Sequence, residues 1–143
     1  MRTYTIYYIK EEFADFFYGR EQRFYELFIN AQKATTYKEI SKKQVKYVTK
    51  PLPQKILKEH FAQAVANKKI YQKNNKYYVL TKNHSETELK IESNVLKIQA
   101  NGGLDTESIF FDILRNFSGH LLAVDFENKR YGWIKPVKNR RIV

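Results

Sequence analysis

The amino-terminal part of the chain carries the segment IKEEFADFFYGRE at residues 9–21, where three phenylalanines and a tyrosine stand among charged side chains. At about 100° of rotation per residue, six apolar side chains share one helix face. They are Phe13, Phe16, Phe17, Phe24, Leu27 and Phe28. This face predicts an amphipathic helix packed on the core. Gly19 interrupts it, and a bend there would turn the later rings inward and leave Phe13 and Phe17 as surface anchors for a protein partner.

Length and composition favour a small intracellular domain. The 143 residues are enough for one domain, spanning residues 1–143, with a core that needs no covalent cross-link. The chain has no cysteine, which excludes a disulfide scaffold, a thiolate metal site and a cysteine nucleophile, and favours a reducing cytoplasm. No segment is apolar over the ~20 residues that a membrane span requires, and the first residues are not typical of a signal peptide.

The formal charge of +11 is the feature that favours nucleic acid as a ligand. Most of the lysines are scattered, as on an ordinary solvated surface. Only the tail concentrates its cations, at Lys135, Lys138, Arg140 and Arg141. Four charges without a motif that reads a groove support non-specific contact. Direct nucleic-acid binding therefore stands as the alternative function rather than the preferred one.

The pattern along the chain predicts an α/β (α+β) fold with a mixed, mostly antiparallel sheet covered by about four helices. Strands are predicted at residues 3–9, 76–80, 88–92, 95–100, 120–126 and 131–134. Ser41 and Gln44 have the spacing of a capping box, which predicts a helix over 41–48 after a polar connector at 35–39. Further helices are predicted over 54–67, with Ile56 on the apolar face, and over about 105–117. Residues 67–75 are polar enough to be mobile.

The sequence shows no group of residues at the spacing typical of a catalytic or cofactor-binding site. His60, His84 and His120 are isolated, with no carboxylate at metal-ligand spacing. The glycines that follow Asn101 match neither the phosphate-binding loop nor the dinucleotide fingerprint, and they predict a turn. We therefore expect a protein that is not an enzyme and that has no metal or cofactor.

Three blocks of the sequence resemble the SirA family, the sporulation inhibitors of replication found in endospore-forming bacteria. The first is YYIKEEFADFFYGRE with the following FYELF, and the second is KKQVKYVTKPLP. The third is the terminal stretch TESIFFDILRNFSGHLLAVDFENKRYGWIKPVKNRRIV, in which KRYGW followed by PVK is the most specific part. Residues 61–87 contribute little to the resemblance.

The resemblance implies a non-catalytic cytoplasmic inhibitor, expected to be a monomer, that binds the N-terminal domain (domain I) of the replication initiator DnaA during sporulation. It places the contact surface on five residues: Phe13, Phe17, Gln44, Tyr47 and Pro136. Phenylalanine stands at position 17 where the family pattern has tyrosine, so a hydroxyl hydrogen bond is absent while the ring contact can remain.

The spacing of these residues agrees with one shared surface. Phe13 and Phe17 are four residues apart and are expected to stack on one helix face. Gln44 and Tyr47 are three apart and do the same on the next helix. Pro136 is expected to hold the terminal segment extended against the patch that the two pairs form.

Overall fold

A computed structural model of the chain describes residues 1–33, 37–80, 86–103 and 105–137. Its described strands form one seven-stranded sheet in the order β2-β3-β4-β5-β1-β6-β7, and every ladder is antiparallel. The strands are β1 (Arg2–Ile9), β2 (Tyr71–Lys73), β3 (Lys76–Leu80), β4 (Glu86–Ile91), β5 (Val95–Ala100), β6 (His120–Asp125) and β7 (Arg130–Trp133). The described helices are α1 (Glu11–Phe16), α2 (Gln22–Gln32), α3 (Lys38–Val48), α4 (Gln54–Ala66) and α5 (Asp105–Leu114).

Helices cover both faces of the sheet because β1 is apolar on both sides. Ile6 packs into a cluster with residues of α4 and α5, such as Phe61 and Phe110. Its neighbour Tyr7 points the other way, into a second cluster with residues of α1, α2 and α3, and successive strand side chains alternate in this manner. The fold prediction of an α/β domain with helices over a mostly antiparallel sheet is confirmed.

The aromatic segment is broken at Gly19, so the single long helix that its periodicity allows does not form. Gly19 has a φ of +80°, in the left-handed region that glycine enters without steric cost. The chain turns there and α2 begins at Gln22. Phe24 and Phe28 are buried, while Phe13 and Phe17 are only half-buried. The bend that the sequence allowed is therefore the arrangement in the structure.

The capping-box prediction at Ser41 is wrong. Helix α3 begins three residues earlier, at Lys38, and Ser41 is a buried residue inside it. The predicted connector at 35–39 thus ends in helix, and residues 35 and 36 lie outside the described part of the chain. The end of the helix at Val48 and the two prolines that follow agree with the prediction.

Three smaller differences concern α4, α5 and the polar segment before β3. Ile56 is 49% exposed, so it is not on the buried face of α4. Helix α5 ends at Leu114, and the buried Phe117 follows in a turn where its N–H donates to the Leu114 carbonyl at 3.0 Å. Residues 67–75 contain β2, which pairs with β3 through a turn at Asn74 and Asn75. Both asparagines have positive φ, as a tight two-residue hairpin requires.

Candidate protein-binding surface

The end of β1 is tied to the end of α3, and this contact positions both helices of the candidate surface. The Lys10 N–H donates to the Val48 carbonyl at 2.9 Å, and the Lys50 N–H donates to the Tyr8 carbonyl at 2.8 Å. An antiparallel bridge joins Ile9 and Thr49 between them. Because α1 begins immediately after Lys10, its first turn lies against the last turn of α3.

Phe13 and Tyr47 meet across this junction. Their ring centroids are 5.2 Å apart and their planes are inclined by 63°, an edge-to-face arrangement favoured between aromatic rings. Tyr47 is 66% exposed, and the Lys10 Nζ lies 5.0 Å from the centre of its ring. One residue from each predicted pair is thus in direct contact, which joins the two helices into one surface.

Phe17 caps the end of α1 and packs against two other phenylalanines. Its ring centroid lies 4.9 Å from that of Phe16 and 5.1 Å from that of the buried Phe24. The Arg20 guanidinium lies 5.2 Å from the Phe16 ring centre and 5.6 Å from that of Phe17, and it donates to the Phe16 carbonyl at 2.8 Å. The expected stacking of Phe13 on Phe17 does not occur as a ring pair in the described structure, because each ring pairs with other aromatics.

A buried aromatic layer supports the exposed rings from behind. Phe24 pairs with Phe28, whose ring is stacked on that of Tyr7 at 3.8 Å and 12°. Burial raises the pKa of Tyr7 to about 12, although a hydrogen bond with Gln32 acts in the opposite direction. The Tyr7 phenol is therefore uncharged under physiological conditions, and the layer behind the surface carries no charge from it.

An exposed stripe on α3 continues the surface beyond Tyr47. Gln44 is exposed three residues before Tyr47, as expected, and Ile40, 55% exposed, lies four residues before Gln44. Residues at these spacings share one helix face. Ile40 was missed because the sequence prediction began α3 after it. With the helix starting at Lys38, its position relative to Gln44 would have revealed it.

The sequence prediction is also wrong for Phe16. It was assigned to the core face with the other phenylalanines, but its side chain is 52% exposed. The reason is that α1 has only six residues and the chain then turns, so the long continuous face that would have buried Phe16 does not exist.

Pro136 is exposed and lies between two buried neighbours, Ile134 and Val137. Val137 belongs to the same apolar cluster as Ala14 and Phe24, to which Phe13 and Phe17 also pack. The terminal segment therefore reaches the apolar cluster beneath the surface formed by α1 and α3. Pro136 precedes Val137 in the chain, and no described contact joins Pro136 to the rings of Phe13, Phe17 or Tyr47.

The other residues considered in the sequence are only partly described by the structure. His60 and His120 are half-buried and His84 lies outside the described ranges, as do Lys138, Arg140 and Arg141 of the tail. No three metal-ligating side chains converge within the described part of the chain. Gly102 has a φ of +85°, which agrees with the predicted turn, and the Gly103 carbonyl accepts a hydrogen bond from Arg2 at 3.0 Å. None of the described helices is long and apolar enough to cross a membrane.

Sequence comparison identifies the family. The profile of the family described as "Sporulation inhibitor of replication protein SirA" matches residues 2–138, nearly the whole chain. A protein of Bacillus subtilis (strain 168) named "Sporulation inhibitor of replication protein SirA" is 38% identical over 148 aligned positions, covering 99% of both chains. The chain belongs to the SirA family. All five residues of the predicted contact surface lie inside the matched range, so the SirA resemblance of the sequence is confirmed over the part that carries them.

Proposed function

We propose that this chain inhibits the initiation of DNA replication during sporulation by binding the N-terminal domain (domain I) of DnaA. It acts in the cytoplasm, where the initiator works, as a monomer without catalytic activity or cofactor. Its contact residues are Phe13, Phe17, Gln44, Tyr47 and Pro136. The name of the Bacillus subtilis relative supports the inhibition of replication, and the partner and the residues are our proposal.

The observation that carries this proposal is the contact of Phe13 with Tyr47 on an exposed surface. Two helices far apart in sequence bring aromatic rings together where solvent reaches them, and Phe16 and Ile40 extend the apolar area. Aromatic side chains dominate the binding energy of protein interfaces because they bury a large area with few torsions to restrict. A rigid set of rings held by a buried layer suits a partner that binds without rearranging the surface.

The charges at this surface indicate what the partner should present. Lys10 lies over Tyr47 and Arg20 lies over Phe16 and Phe17, so cations flank the rings at two points. A complementary partner surface would place an apolar strip against the rings and carboxylates at its margins. Such marginal charges set the rate and specificity of association more than its affinity.

The net charge of +11 favours the alternative function, direct binding to DNA. The dependence of affinity on salt concentration distinguishes binding to DNA from binding to the DnaA domain. DNA affinity falls steeply as salt rises because counterions are released from the phosphates, whereas an interface of aromatic anchors responds modestly. The test is fluorescence anisotropy with labelled DnaA N-terminal domain and, separately, with labelled duplex DNA, across a salt series. Binding to the DnaA domain that persists at high salt supports the proposal. Binding to DNA alone, lost as salt rises, contradicts it.

A further inference from the structure

A cavity of about 450 Å³ lies on the opposite side of α3 from the candidate protein-binding surface. It is formed where α3 and the segment after it face the start of β5 and the end of α2. Thr49 and Pro51 line it from the side of α3, Ala31 from α2 and Val95 from β5. The volume falls within the ~300–1,000 Å³ typical of small-molecule sites.

The lining combines three cations with an apolar interior and contains no carboxylate. Lys42, Lys46 and Lys50 supply the cations. Among the described residues, no carboxylate lies within ion-pairing distance of Lys46 or Lys50. Lys42 pairs with Glu39 at 3.6 Å, but both side chains are exposed and such pairs are weak. The Lys50 ammonium lies 5.2 Å from the centre of the Tyr8 ring, so Lys46 and the weakly paired Lys42 are the lysines whose ammonium groups a negatively charged ligand would meet.

The apolar part of the lining argues against a bare ion as the natural occupant. Val45, Pro51 and Val95 present hydrocarbon to the cavity, and the buried Tyr7 lies among them. The Asn94 side-chain amide can donate a hydrogen bond from the turn that precedes β5. The Thr49 hydroxyl donates to the Val45 carbonyl at 2.7 Å, which leaves its oxygen free to accept one. The site suits a molecule with a charged end and a less polar body.

Helix geometry separates this cavity from the candidate protein-binding surface. At about 100° per residue, Lys42 and Lys46 lie roughly 100–140° around α3 from Tyr47. A molecule in the cavity would touch one side of α3 while a protein partner touches the other. Occupation of the cavity therefore leaves Phe13 and Tyr47 uncovered.

We propose that this cavity binds a phosphate-bearing small molecule of about nucleotide size, with its phosphates against Lys42 and Lys46 and its less polar part against Val45 and Val95. Lysine acts as a point charge toward phosphate, and two lysines four residues apart on one helix can contact the oxygens of the same polyphosphate.

The test is calorimetric titration of the full chain, without DnaA, with three probes: ATP, inorganic pyrophosphate and adenosine. We expect saturable binding of ATP at one site, weaker binding of pyrophosphate and none of adenosine. Because hydrogen bonds to charged groups are the strong ones, Lys46→Gln should weaken ATP binding on the order of tenfold. Lys43→Gln is the matched control, since Lys43 is exposed on the same helix and does not line the cavity. It should change ATP affinity by less than about twofold.

Each other outcome contradicts the proposal. Equal losses in Lys43→Gln and Lys46→Gln would show diffuse electrostatic attraction, and absence of saturable ATP binding would show that the cavity does not select phosphates. Duplex DNA that displaces ATP and depends on Lys46 in the same way would assign the site to nucleic acid instead. Thermal unfolding of both variants checks that each remains folded. Because DnaA is not in the experiment, failure here leaves the proposed protein interface unaffected.

Discussion

The ring of Phe13 in α1 lies edge to face with the ring of Tyr47 in α3, with 5.2 Å between their centroids. The contact exists because the end of β1 is hydrogen-bonded to the end of α3 through Lys10 and Val48. Neither helix alone presents the full aromatic surface. The surface therefore depends on the tertiary fold, and an isolated peptide of either helix would not reproduce it.

The contact between Phe13 and Tyr47 predicts energetic coupling in partner binding. Phe13→Ala and Tyr47→Ala should each weaken binding, and the double variant should lose less than the sum of the two. The difference should be about 0.5–1.5 kcal/mol, the value of an aromatic pair. Calorimetry with the DnaA N-terminal domain measures it. Combining Phe13→Ala with Ile56→Ala on α4 provides the control pair, which should be additive within about 0.5 kcal/mol. Additivity in both pairs would mean that the rings act separately.

Ile40 is expected to belong to the same surface. Ile40→Glu places a carboxylate on an exposed apolar position, so the fold should be retained while binding falls by about 2 kcal/mol or more if the residue is at the centre of the interface. Ile56→Glu is the matched control because Ile56 is similarly exposed but lies on α4, over the other sheet face. The measurement is the dissociation constant by anisotropy. Equal affinities for the two variants would remove Ile40 from the surface.

Gly19 is predicted to set the turn that exposes the end of α1. A side chain at its φ of +80° is strained even though a Cβ there would have no heavy atom within 4 Å. Gly19→Ala should therefore lower the free energy of unfolding by about 1–2 kcal/mol. Gly132→Ala is the control, since the space around it is equally open and its φ is not positive. Urea denaturation of both variants measures the difference. A stability loss in Gly132→Ala as large as in Gly19→Ala would indicate that φ is not the cause.

Asp125 is predicted to stabilise the fold at neutral pH and to lose this effect in acid. Burial alone would raise the pKa of this carboxyl, but hydrogen bonds from Arg130 and Asn128 outweigh it and lower the pKa below its ordinary value. A carboxyl whose pKa is lower in the folded state stabilises the protein above its unfolded pKa of about 3.9. That contribution is lost as the pH falls through the folded pKa.

Asp125→Asn removes this contribution. The stability gap between the natural protein and the variant, measured by urea denaturation, should be full at neutral pH and should shrink as the pH falls below about 4. A gap that does not change with pH would show that the carboxylate charge is not what stabilises the turn before β7.

The fold was predictable where hydrophobic periodicity is strong and continuous. Strands β1 and β6 and helix α4 carry such patterns, and their boundaries agree with the prediction within two residues. The prediction that a helix begins at Ser41 is wrong because the capping spacing is a local signal. In the structure the Ser41 side chain is buried inside the helix instead of capping its first turn. Strand β2 is missing from the prediction because its three residues are all exposed and form a strand by pairing with β3 through the turn at Asn74 and Asn75.

The candidate surface was predictable only in part. Phe13, Phe17, Gln44, Tyr47 and Pro136 came from a family resemblance, and the sequence alone left Phe13 and Phe17 open between core and surface. The bend at Gly19 leaves both rings half-buried, and it depends on how α1 ends rather than on the pattern of apolar residues. Contacts between segments distant in sequence, such as that of Lys10 with Tyr47, leave no periodic signal.

The most direct test of the account is calorimetric titration of the full chain with the isolated DnaA N-terminal domain, for the natural sequence and for Phe13→Ala and Phe17→Ala. We predict saturable binding close to one to one, and a loss of about 2–4 kcal/mol, roughly 30-fold to 1000-fold, in each variant. Because both rings are half-buried against the apolar cluster, the variants should lose some stability but stay folded at the temperature of the titration, which thermal unfolding checks. Undiminished binding in both variants, or unfolding that explains its loss, would contradict the assignment of these rings to the interface.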